Sequence, residues 1–141
     1  MSDNIFIDTN IIVHARVRSD VTKHGQAKSI FIKHEKDNIF ISTQVLTETY
    51  NALRKNRIDD ATRHITIETL ISKMNILPVT VDTVKQCFEI KNRYMFSYLN
   101  SLLLAAALLG NCSTFYSEDM QHGQIISGKV KIINPFLLDI S

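Results

Sequence analysis

The chain has 141 residues, 45% of them hydrophobic and 21% charged, with only four glycines and two prolines. That is enough chain to bury a real core as one domain over residues 1–141, and too little Gly and Pro for a linker or a disordered arm. A formal charge of +2 is mildly basic, compatible with nucleic acid but far from a polybasic composition, and the longest apolar run, the eight residues Leu102 to Leu109, is well short of the roughly 18 that a membrane span needs.

In chain order, Asn4 to Asp8 reads as a short buried strand, because Ile5-Phe6-Ile7 is a continuous apolar block of high β propensity. Thr9 or Asn10 then caps a helix through Val17. Gln26 to Lys36 carries Ala27, Ile30 and Phe31 at helical spacing with lysines opposite, and Ile39-Phe40-Ile41 is a second strand. Ser42 or Thr43 caps a helix reaching Lys55, with Glu48 near its positive end. A helix from Asp60 to Met74 follows, then a strand at Ile76-Leu77-Pro78-Val79, where the proline marks an edge or an end. Asp82 opens a helix through Tyr94. Ser97 begins an apolar helix that closes at Gly110, a residue suited to a left-handed cap. Thr114-Phe115-Tyr116 is a fourth strand, 117–123 a polar loop, and Val130 to Ile133 a last strand stopped by Asn134-Pro135.

Strands alternating with helices predict an α/β fold, a mostly parallel sheet of four to five strands flanked by helices in three layers. Ligands of such sheets bind outside the carboxyl ends of the strands. Asp8, the start of the Glu48 helix and Asp119 all fall at that edge. Carboxylates crowded there repel one another unless a hard cation binds them, and Mg²⁺ combines oxygen ligands with phosphate and water. Asp8, Glu48 and Asp119 are therefore candidate ligands for phosphodiester chemistry, and Asn100 places an amide where a fourth carboxylate would serve. The plainer reading makes Asp8-Thr9-Asn10 a helix cap, Glu48 a dipole partner and Ser117-Glu118-Asp119 a solvated turn.

Four segments carry a family resemblance: Phe6-Ile7-Asp8-Thr9-Asn10 with the following Ile11 to Ala15, Ser42 to Glu48, Phe96 to Leu102, and Phe115 to Gly123 with Asn134-Pro135-Phe136. From Ile5 to Phe136 the sequence resembles the PIN-domain family, close to the VapC-type ribonuclease toxins of bacterial toxin–antitoxin pairs. The resemblance implies a PIN-like fold and a Mg²⁺- or Mn²⁺-dependent endoribonuclease. Asp8, Glu48, Asn100 and Asp119 are then the catalytic and metal positions, and Thr9, Asn10, Ser117 and Glu118 are supporting polar groups. It further implies an RNA substrate, a small antitoxin lying across the helices near the acids, and a homodimer. The departure is Asn100, where the family usually has aspartate. Its amide oxygen can meet a metal, but it removes one negative charge and cannot take a proton from water.

Two alternatives stand beside this reading. His14 and His122 could act as a metal-free acid–base pair on a ribose 2′-hydroxyl. With Asn100 in place, the chain could instead be a binding module for an antitoxin or RNA that cuts poorly. His24, His34 and His64 are expected to face solvent, as are most of the lysines and arginines. Tyr94, Phe96 and Tyr98 are expected to pack between helices rather than stack on bases. Cys87 and Cys112 lack C-x-x-C spacing and read as buried thiols of a reducing compartment. With no basic segment after Met1, a cytoplasmic protein is expected.

Overall fold

A computed structural model describes residues 2–137. Its elements are β1 (Asn4–Ile7), α1 (Thr9–Arg16), α2 (Val21–Lys33), β2 (Asn38–Ser42), α3 (Thr43–Lys55), α4 (Asp60–Lys73), β3 (Asn75–Leu77), α5 (Val81–Tyr94), α6 (Tyr98–Leu109), β4 (Thr114–Tyr116), β5 (Ile125–Ile126) and β6 (Val130–Ile133). The six strands form one sheet in the order β3-β2-β1-β4-β6-β5, parallel except for the pairing of β5 with β6. This is the α/β architecture expected. The sheet gains one strand because Ile125-Ile126 is too short to announce itself by alternation.

Successive strand side chains point to opposite faces, yet Ile5, Phe6 and Ile7 are all buried, so β1 is covered on both sides. Phe6 stacks on Phe115 of neighbouring β4, with ring centroids 5.1 Å apart. Helix α6 is buried through its middle, from Ser101 to Ala107, and it packs against α5. That burial accounts for a helix apolar on most sides; among the described residues, no helix is long and apolar enough to cross a membrane.

Several expected boundaries move for local reasons. Helix α2 starts at Val21 rather than Gln26, because the side chain of Asp20 accepts from the Lys23 amide and caps it there. It also ends earlier, at Lys33 rather than Lys36. Asp8, not Thr9 or Asn10, is the cap of α1. Thr80 and Thr83 form a reciprocal capping box that opens α5 at Val81, ahead of Asp82. β3 stops at Leu77, before Pro78, and lies at a sheet edge. Gly110 is not left-handed: its φ is −83°, and Asn111 takes the positive value, 55°. A Cβ at this position would stand 2.7 Å from the Leu77 Cδ1 methyl, which would have to turn aside to admit it.

Two histidines are not on the solvent. His34 is buried, bonding Asp37 Oδ2 through Nδ1 and the Tyr116 hydroxyl through Nε2, each at 2.7 Å. His24 is half-buried, with Nδ1 2.8 Å from the His14 carbonyl oxygen. Tyr94 and Phe96 pack on the core, as expected of helix-packing aromatics, whereas Tyr98 is exposed beside Phe88; Cys87 and Cys112 are buried and free.

Candidate active site

The chain winds outward from β1 through β2 to β3, then returns so that β4 lies on the other side of β1. The carboxyl ends of β1 and β4 therefore flank the point where the winding direction reverses, which is where open α/β sheets leave a crevice. Ile7 pairs with Tyr116, and the Asp8 amide donates to the Tyr116 carbonyl at 3.0 Å, so Asp8 and Ser117 emerge side by side. Ser117 is held from the other flank by its amide bond to Ile133 O, 3.0 Å, and the Asn134 amide group donates to Glu118 O at 3.3 Å.

A cleft of about 440 Å³ opens there, lined by Asp8, Thr9, Asn10, Glu48, Ser97, Asn100 and Asp119, with Val13, His14, Ala52, Leu99 and Leu103 as its remaining wall. All four expected catalytic positions meet in it. No lysine or arginine is among the lining residues. Asp8 is buried: Oδ1 accepts from the Thr9 amide at 2.7 Å and Oδ2 from the Ser117 hydroxyl at 2.8 Å. Burial pushes its carboxyl up from the usual 3.8 to about 6; those two donors pull it down, and the nearby charges of Glu48 and Asp119 push it up further.

The other acids are each tied to a neutral neighbour. Thr9 Oγ1 donates to Glu48 Oε1 at 3.0 Å, and Asn10 Nδ2 donates to Asp119 Oδ2 at 2.8 Å. Ser117 Oγ also accepts from the Asp119 amide at 3.2 Å, so one buried hydroxyl orients two of the acids. Asn100 is at the third position of α6, its amide donating to the capping Ser97 Oγ at 3.1 Å. Thr9, Asn10 and Ser117 thus touch the acids, whereas Glu118 is absent from the cleft wall and bonds His14 and Lys23 instead. His122 lies outside the cleft as well, its Nδ1 accepting from the Asn134 amide at 2.9 Å, so it makes no pair with His14.

Gln44 was not foreseen. Its Nε2 donates both to Glu48 Oε2 at 3.0 Å and to Leu99 O at 3.1 Å, linking the helix of Glu48 to the start of the helix of Asn100. The available signal was spacing, because residues four apart on a helix are neighbours. The apolar wall residues Val13, Ala52 and Leu103 carry no chemistry that could have singled them out.

Among the described residues, no three carboxylate, imidazole or thiol groups stand close enough to make a ready-formed ion cage. The donors present are carboxylate and amide oxygens, with a neutral hydroxyl or amide on each acid. That set suits a hard cation bound through one or two carboxylates and several waters, the habit of Mg²⁺, and does not suit a closed soft-ligand site.

The PIN domain family profile matches residues 5–125. The chain belongs to the PIN domain family. Its fold is shared with the toxin–antitoxin complex of Klebsiella pneumoniae, at a TM-score of 0.68 and 17% identity over 93% of this chain and 97% of the other. It is also similar to the sarcin-ricin-loop-cleaving toxin VapC20 of Mycobacterium tuberculosis, at 0.66 and 21% identity over 79% and 86% of the two chains. DNA-bound VapBC of Salmonella typhimurium gives 0.67 and 14% identity over 94% and 98%. No curated protein sequence matches the chain significantly. As a PIN domain, the chain presents Asp8, Glu48, Asn100 and Asp119 at the crevice where its sheet reverses direction.

Proposed function

We propose that this PIN domain is a divalent-cation-dependent endoribonuclease, the toxin of a toxin–antitoxin pair acting in the cytoplasm. The observation that carries the reading is the cleft itself: three carboxylates and the Asn100 amide line it together, without any lysine or arginine among the lining residues. Such a concentration of negative charge opposes a phosphodiester unless a cation intervenes.

Mg²⁺ or Mn²⁺, when bound, polarises a phosphate oxygen and lowers the pKa of a water. Of Asp8, Glu48 and Asp119, one or two would hold it directly and the rest through water, with the Asn100 oxygen as a neutral donor. Thr9, Asn10, Gln44 and Ser117 fix the directions in which those acids point. Val13, Ala52, Leu99 and Leu103 give the strand an apolar surface beside the acids.

The experiment is cleavage of total RNA with Mn²⁺, with excess chelator, and by Asp8→Ala, beside Asn100→Asp. Cleavage is expected with Mn²⁺ and lost with chelator or Asp8→Ala. Asn100→Asp is expected to raise activity and to tighten Mn²⁺ binding by calorimetry about tenfold or more, since it restores a negative ligand. Cleavage that persists in chelator would remove the metal from the mechanism.

A second reading is favoured by Asn100 alone: with one charge fewer in the cleft, the chain serves as a module that binds an antitoxin or RNA and scarcely cuts. Parent protein inactive while Asn100→Asp is active would select it. An antitoxin partner is supported by the neighbours that are toxin–antitoxin complexes and by a cleft in which an arginine could replace the cation. Self-association through the helices is supported by the exposed Phe88, Met95, Tyr98 and Leu99 of the α5–α6 region.

A further inference from the structure

The two consecutive acids after Ser117 part company. Asp119 joins the cleft, while Glu118 turns to accept from Lys23 Nζ at 2.7 Å and His14 Nε2 at 2.9 Å. Paired with the Lys23 ammonium, Glu118 is a carboxylate that accepts from both neighbours. The His14 ring is fixed on a second side by Phe136, whose ring it meets edge-on at 5.2 Å, and Lys23 Nζ lies 5.2 Å from the same centroid. His14 is thus a clamped ring in the wall of the cleft.

An ionised carboxylate can only accept, so the hydrogen of the neutral imidazole sits on Nε2 and Nδ1 is left as a bare acceptor. Among the described residues Nδ1 has no hydrogen-bond partner. Phosphate oxygens have no hydrogen to offer it. A ribose 2′-hydroxyl does, and deoxyribose does not.

We propose that His14 reads the sugar: its Nδ1, set by the Glu118 clamp, accepts a hydrogen bond from the 2′-hydroxyl of a nucleotide in the acidic cleft and so favours RNA over DNA. The assignment rests on the ribonuclease reading and gives that site its means of telling the two nucleic acids apart.

The test measures fluorescence anisotropy of short random-sequence single strands, one of RNA and one of DNA, with Ca²⁺ in place of Mn²⁺ and at about pH 8. The parent is expected to prefer RNA roughly three- to tenfold, the worth of one neutral hydrogen bond. His14→Gln keeps an amide near Glu118 but offers nothing at the Nδ1 position, and its preference is expected to fall to about twofold or less. His14→Asn places its amide oxygen near the Nδ1 position and is expected to retain most of the preference. Preference kept in His14→Gln, or lost equally in both variants with their melting temperatures intact, overturns the proposal. So does a parent that cuts RNA with Mn²⁺ yet binds both strands alike, an outcome that leaves the nuclease reading standing. A parent that binds neither strand and cuts no RNA overturns the nuclease reading, and this assignment with it.

Discussion

Asp8 shows how a site residue can work against the fold that carries it. Its carboxyl is held at about 6 in the fold against the usual 3.8, so its contribution to stability is fully present below pH ~4 and is lost as pH rises through 6. At neutral pH the cation-free protein is therefore weakened by about 1–3 kcal/mol, the two-unit shift converted and discounted for solvent relaxation. Asp8→Asn, which keeps an oxygen for the Thr9 amide, is expected to raise the melting temperature of the cation-free protein at pH 7 by several degrees and to leave it little changed near pH 4. Thermal denaturation at the two pH values checks this. The acids were legible in sequence because each follows or opens an apolar element. The wiring among them was not, since Asn10 to Asp119 and Ser117 to Asp8 each join residues 109 apart in the chain.

Helix α6 contains an uneconomical residue of another kind. Ser101 is fully buried, and its hydroxyl has no hydrogen-bond partner among the described residues, while the helix around it is apolar. An unsatisfied hydroxyl costs about 1–3 kcal/mol, and alanine is the better helix former. Ser101→Ala is accordingly expected to stabilise the protein by about 1 kcal/mol in urea denaturation. Element types were readable from apolar blocks and helical spacing: β1, β4, β6 and the run of α6 stand where those patterns put them. What failed was punctuation. Asp20 and Thr80 cap helices from positions whose side chains look like ordinary loop polarity, and Gly110 resembles a left-handed stop although the positive φ falls one residue later, on Asn111.

For the whole molecule, the two free thiols report integrity. Burial raises the Cys87 thiol above its ordinary value and pushes Cys112 up to about 12, so neither is a reactive thiolate in the fold. Labelling by a thiol reagent is expected to be slow in the native protein and to accelerate with denaturant along the unfolding curve, which stopped-flow absorbance follows. The sheet itself has a consequence for company. It ends in a strand of three residues on one side, followed by Pro78, and a strand of two residues on the other. A foreign strand docking at either margin would gain only a few backbone bonds, so fibril-like growth is discouraged and any lasting union with another chain falls to the helical exterior.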